Sequence, residues 1–215
     1  MIMKNFYLAL ALLTICLASC KKETVHNEEP AVLTDTIKPK HVAVEQPLDS
    51  AAQIKAWINY ATPGEAHKLM AEETGNWNCD MTFWREPNGK PEKEKAVATI
   101  KMILGNRYQE TIFKGKISGQ PFEGKGTLAF NNTSKEFTTT FIDNMGTGMM
   151  VANGKLDDRT KSIEFKGVII NPVDGKKTPY REIYTIVDPK TRKMEMFDVQ
   201  NGEEYKSMEI ILKKN

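Results

Sequence analysis

The sequence predicts an all-β protein: an antiparallel up-and-down β-barrel of about ten strands, preceded by a short helical segment. Three observations carry this. After Gly75, Trp77, Cys79, Met81 and Phe83 alternate with Asn76, Asn78, Asp80 and Thr82, the period of a half-buried strand. Turn signals then recur to the end of the chain, including Asn88-Gly89, Gly105-Asn106, Gly119-Gln120-Pro121, Asp174-Gly175 and Asn201-Gly202. No helical pattern interrupts them. A long antiparallel meander removes its two unpaired edges by closing on itself.

The segment before the barrel divides into three. Lys4 followed by the apolar run 6–17 reads as a signal peptide over residues 1–19; the run is shorter than the about 20 residues a membrane span needs. Leu17-Ala18-Ser19-Cys20 resembles a bacterial lipobox, where small residues admit the peptidase and the thiol of Cys20 takes the lipid. Lys21 follows rather than an Asp, which favours the outer membrane, and Cys20-Lys21-Lys22-Glu23 resembles lipoproteins of the Bacteroidetes type. Residues 20–48, polar with Pro30, Pro39 and Pro47, read as a lipid-anchored tether, and His26 and His41 as solvated members of it.

Residues 49–74 read as a helical lead-in. Asp49 or Ser50 can cap it, and Ile54, Trp57 and Ile58 share one face. Thr62-Pro63-Gly64-Glu65 has the form of a capping box with a first-turn proline. Residues 75–215 form the barrel, with strands expected near 76–86, 93–104, 107–117, 123–131, 136–143, 148–156, 161–170, 179–187, 193–199 and 204–213. One turn plan repeats in 131–135, 157–161 and 188–192: an Asx, a hydroxyl three residues on, and a base at the close. The Asx side chain can accept backbone N–H groups. These turns fall at alternate hairpins and so belong at one end of the meander.

Several stretches resemble the bacterial domain-of-unknown-function 1579 family. They are Ala61-Thr62-Pro63-Gly64-Glu65-Ala66-His67-Lys68, Gly75-Asn76-Trp77, Met102-Ile103-Leu104-Gly105-Asn106-Arg107-Tyr108, the run 119–126, the run 141–148 and Met208-Glu209-Ile210. The resemblance covers about residues 61–213 and implies a lipocalin-like barrel. It implies no activity and carries over no catalytic residue.

Composition narrows the function classes. The chain has 215 residues, 30 Lys+Arg against 28 Asp+Glu, and a net charge of +2; this balance gives no basic surface for nucleic acid. No zinc-protease, P-loop, serine-hydrolase or dinucleotide motif occurs, and three histidines, two of them in the tether, point to no metal site and no cofactor. Cys79 would be the remaining thiol once Cys16 leaves with the signal and Cys20 is lipidated. A barrel slightly larger than eight strands can hold a ligand. The candidate ligand-binding residues are Trp77, Arg107, Phe122, Asp143, Asn144, Met145, Arg181 and Tyr184. Asp143-Asn144-Met145-Gly146-Thr147-Gly148 closes a strand, either as a pocket mouth or as a hairpin with glycines at positive φ. Phe122 is either a lid or the packed aromatic of a turn. Arg107, Arg181 and Glu182 lie inside expected strands, where a charge faces outward by default and needs a partner if it faces in. Met145, Met149, Met150, Met194, Met196 and Met208 suit either an adaptable pocket or an irregular core. Expected partners are the membrane, through Cys20, and a small, partly apolar ligand. The alternatives are an enzyme on a small lipophilic or acyl substrate, centred on Asp143, Arg107 or His67, and a structural or partner-binding envelope module.

Overall fold

The computed structural model describes residues 49–215. The signal peptide, Cys20 and the tether lie outside the described residues. Two helices come first, α1 (Ser50–Ala61) and α2 (Glu65–Ala71). Ten strands follow: β1 (Gly75–Phe83), β2 (Glu92–Ile103), β3 (Tyr108–Ile117), β4 (Gln120–Asn131), β5 (Glu136–Asp143), β6 (Met150–Asp157), β7 (Ser162–Ile170), β8 (Lys177–Asp188), β9 (Thr191–Gln200) and β10 (Glu203–Lys214). Each pairs antiparallel with its chain neighbours, and β1 pairs with β10 from Trp77↔Lys214 to Phe83↔Met208, closing the barrel. None of the described helices is long and apolar enough to cross a membrane.

Alternation decides which side chains face in. On β1, Trp77, Cys79 and Met81 are buried while Asn76, Asn78 and Asp80 are exposed. Two buried clusters line opposing walls. Trp77, Cys79, Met81, Ala98, Phe113 and Ile210 belong to the first. Met70 of α2 joins Phe137, Ala152, Ile163, Phe165 and Tyr180 in the second. On the outer face Glu110 is held between Lys101 and Lys125, at 2.9 and 2.6 Å, and those hydrogen bonds keep its carboxyl below the usual range.

The repeated Asx turns form as expected. Asn131 Oδ1 accepts from Thr133 N and Ser134 N, Asp157 Oδ1 from Arg159 N and Thr160 N, and Asp188 Oδ1 from Lys190 N. The third is tighter: β8 ends at Asp188 and β9 begins at Thr191, whereas β4 ends at Asn131 and β5 begins at Glu136. Its base, Arg192, is therefore carried into the strand and turned inward, while Lys135 and Lys161 stay in their turns at positive φ.

The helical lead-in departs from expectation at its second cap. Asp49 caps α1, accepting from Ala52 N at 2.7 Å. Thr62, however, closes α1, its hydroxyl donating to Ile58 O at 2.7 Å. With that hydroxyl occupied, α2 starts from Gly64, and its reciprocal partner is His67, whose Nδ1 accepts from Gly64 N at 3.1 Å. Asn132 and Arg107 fasten the end of α1 to the barrel by donating to the carbonyls of Asn59, Tyr60, Thr62 and Ala61. The apolar face of α1 stays uncovered: Ile54, Trp57 and Ile58 are all exposed.

Candidate ligand-binding site

The helix-capped end of the barrel is sealed by a buried polar network. Glu73 follows α2 and enters the barrel with its carboxylate. Arg192 Nε meets Glu73 Oε1 at 2.6 Å, and the two side chains are 1% and 5% exposed. Tyr184 Oη donates to the same oxygen at 3.0 Å, and Gln109 Nε2 donates to Oε2 at 2.9 Å. Gln109 also donates to Met70 O, and Trp77 Nε1 donates to Glu73 O at 2.8 Å. The Arg192 guanidinium lies over the Trp77 ring, 5.4 Å from its centroid, a stacking that suits its weak hydration. A buried ion pair is tolerated only when further hydrogen bonds satisfy both ions, and here both are satisfied. The network joins residues of β1, β3, β8 and β9 to the end of α2.

Above it is a cavity of about 280 Å³, near the lower bound of ordinary small-molecule sites. Its walls are aromatic and thioether: Phe113, Phe122, Phe141, Phe165, Tyr180, Met194 and Met196 are among them. Asp143, where β5 ends, and Phe83, where β1 ends, place the opening at the end opposite the helices. Thr111 and Thr139 add hydroxyls. Among the described lining residues Asp143 and Glu182 are the charged ones, both acidic.

Glu182 is the unusual member. It lies between Tyr180 and Tyr184 on the inward face of β8, and its cross-strand neighbours are Phe165 and Met196. Neither offers a hydrogen bond. Burial alone pushes its carboxyl up to about 7. No described side-chain oxygen or nitrogen is both sealed and unpaired, so the Glu182 oxygens face open cavity space. Burial also raises the Tyr180 hydroxyl to about 12 and Tyr184 well above its ordinary value, which keeps both neutral hydrogen-bonding groups. Outward orientation, the default expected for Glu182, is thus corrected: the alternation that turns Tyr180 and Tyr184 inward takes Glu182 with them.

The candidates named from sequence separate into groups. Phe122, Asp143 and Tyr184 line the cavity. Phe122 does so as a buried strand residue of β4 rather than as a lid. Trp77 lies in the sealed floor. Arg107 is outside, donating to Ala61 O at 3.1 Å. Arg181 is also outside, paired with Glu204 at 2.7 Å and stacked on Phe197. Asn144 fastens a turn, its Oδ1 accepting from Glu123 N and its Nδ2 donating to Pro121 O. Met145 is exposed. Gly146 and Gly148 are not at positive φ; Asp143 Oδ1 closes that turn by accepting from Met145 N and Gly146 N. Met150, Met194, Met196 and Met208 line the cavity, whereas Met149 is exposed.

Asp143 does not converge with Arg107 and His67, which neighbour each other at the capped end and do not line the cavity. His67 is buried against Phe130 near the capped end, and desolvation with the nearby Arg107 charge lowers its pKa. Burial pushes the Cys79 thiol up to about 12, which leaves no reactive thiolate. No cluster of three or more potential metal ligands occurs among the described residues.

The family of proteins of unknown function DUF1579 matches residues 62–214. The chain belongs to the DUF1579 family. No curated protein matches it. This DUF1579 barrel is similar to the crystal structure of Rv2717c from M. tuberculosis, with a TM-score of 0.53 and 12% identity over 72% of this chain and 99% of that one. At that identity the likeness shows the fold alone. A redesigned beta barrel is similar at a TM-score of 0.38 and 12% identity, over 68% of this chain and 94% of that one, and carries no argument. The DUF1579 match spans α2 and all ten strands, so it includes both the polar floor and the cavity.

Proposed function

We propose that this protein is an envelope lipoprotein, anchored through Cys20, that holds a small, partly apolar ligand in its barrel without catalysis. The observation that carries the ligand reading is the cavity: about 280 Å³, walled by aromatic and thioether groups, closed below and open above. Lipid attachment is supported by Leu17-Ala18-Ser19-Cys20. Cys20→Ala is expected to abolish incorporation of labelled palmitate in a bacterial host, and a chain still labelled would remove the anchor.

The test of the cavity uses Gly126. A Cβ built there meets nothing closer than Thr140 O at 3.6 Å and points at the cavity, whereas one at Gly124 would lie 2.5 Å from the Phe141 ring. Gly126→Leu is therefore expected to fold and to fill the cavity. Native and denaturing mass spectra of the full chain should show a mass lost on denaturation from the wild type and absent from the variant. Octanol binding should fall by about tenfold to a hundredfold, the scale of forcing a side chain into occupied space. Equal octanol binding by the two chains would sink the cavity as the site.

Asp143 stands at the opening while Arg107 and His67 lie at the capped end outside the cavity lining, so no observation favours catalysis. The uncovered side chains of α1 favour partner binding as a second reading. A dimer in sedimentation that Ile58→Glu disrupts would support it.

A further inference from the structure

We infer that the molecule held in the barrel carries a protonated amine, which donates to Glu182 while its apolar part lies among the aromatic and methionine side chains; this rests on the ligand reading above. The argument starts from the charges on the wall. Asp143 and Glu182 are both acidic, and no Lys, Arg or His lines the cavity among the described residues. The guanidinium nearest the interior, Arg192, is committed to Glu73 and to the carbonyls of Asp188 and Thr191. A carboxylate ligand would therefore meet two acids and no cation.

An ammonium meets the opposite situation. Glu182 is flanked by Phe165 and Met196 and has no hydrogen-bond partner in the fold. A half-buried carboxylate among apolar walls, with no protein partner, has lost part of its hydration, and a charge-assisted hydrogen bond makes up that loss. Phe113, Phe122, Phe141 and Tyr180 add ring faces, whose quadrupole attracts cations. The titratable groups that face Glu182 are Tyr180 and Tyr184 on its own strand and Asp143 at the opening. Its neighbours on β7 and β9 carry no charge. Both tyrosines stay neutral through the working range, so neither adds a charge to the site.

The test compares octylamine, octanol and octanoate, which share one chain length and differ in head group, by isothermal titration calorimetry on the full chain at about pH 8. There an aliphatic amine is protonated and Glu182 is ionised. Octylamine is expected to bind about tenfold tighter than octanol or better, the scale of one charge-assisted hydrogen bond, with octanoate the weakest. Glu182→Gln should bring octylamine down to the affinity of octanol and leave octanol unchanged. Equal binding of the amine and the alcohol, or tightest binding of octanoate, overturns the inference while the cavity reading stands. So does an octylamine affinity that survives Glu182→Gln and falls with Asp143→Asn. Failure of all three probes removes the cavity reading and the inference together. The wild-type comparison is decisive without any variant that must fold.

Discussion

Arg192→Met is expected to destabilise the fold by about 3–5 kcal/mol, the cost of leaving a buried charge without its partner. Equilibrium urea unfolding measures it, as a lower midpoint at an unchanged slope. Glu73 and Arg192 approach to 2.6 Å inside the barrel. Without the guanidinium, the Glu73 carboxylate keeps only the neutral donors Tyr184 and Gln109. The carbonyl of Thr191, 3.0 Å from Nη1, loses the Arg192 donor, and the Trp77 ring loses one of its two cations, keeping Lys214. Arg192→Lys keeps the charge but not the planar fork, so an intermediate loss is expected. The double variant Glu73→Gln, Arg192→Met should be less destabilised than Arg192→Met alone, because the unpaired charge goes with its partner. A single variant within 1 kcal/mol of wild type would show that this network does not hold the capped end.

The same residue shows what the sequence could and could not convey. The barrel was legible because its signals are local: period-two alternation on β1 and a turn residue at each reversal. Their sum left closure as the economical topology. Arg192 was hidden by the same local reading, since it falls where Lys135 and Lys161 close the two other Asx turns. What separates it is a loop shorter by two residues, which shifts the base from turn to strand and from water to core. Glu73 was equally opaque, as a polar residue after an amphipathic helix with a partner 119 positions away. Phe122 and Asp143 are legible as candidates from their places beside turns, but their inward side follows from the strand register that the closed barrel sets. Arg107 and Arg181 show the limit, because charge at a strand position does not state its face. For Glu182 the usable signal was the pair of tyrosines two residues to either side.

Glu182 also makes the stability of the fold depend on pH in a direction opposite to most carboxylates. Its pKa is about 7 in the fold against an ordinary 4.5, so between these values the folded chain holds the extra proton. Stability from this group is therefore fully present below about pH 4.5, falls as pH rises towards 7, and is lost above it, by roughly 3 kcal/mol in all. His67, with its lowered pKa, acts in the reverse sense as pH rises towards 6.5, so the raw wild-type curve mixes the two. Subtracting the curve of Glu182→Gln isolates the carboxyl. The variant is expected to gain on the wild type between about pH 5 and pH 7 and to keep that advantage above. Asp157, Asp188 and Glu204, held low by their hydrogen bonds, act at more acid pH and cancel in the difference. Parallel curves for the two chains would mean that cavity water solvates Glu182 and that the barrel offers no dry carboxylate. An ammonium ligand predicts a further result in the same assay. By pairing with the carboxylate it pulls the folded pKa back down, so saturating octylamine should remove the loss above neutrality from the wild type, whereas Glu182→Gln, which binds it only as it binds octanol, should gain by the same amount at every pH.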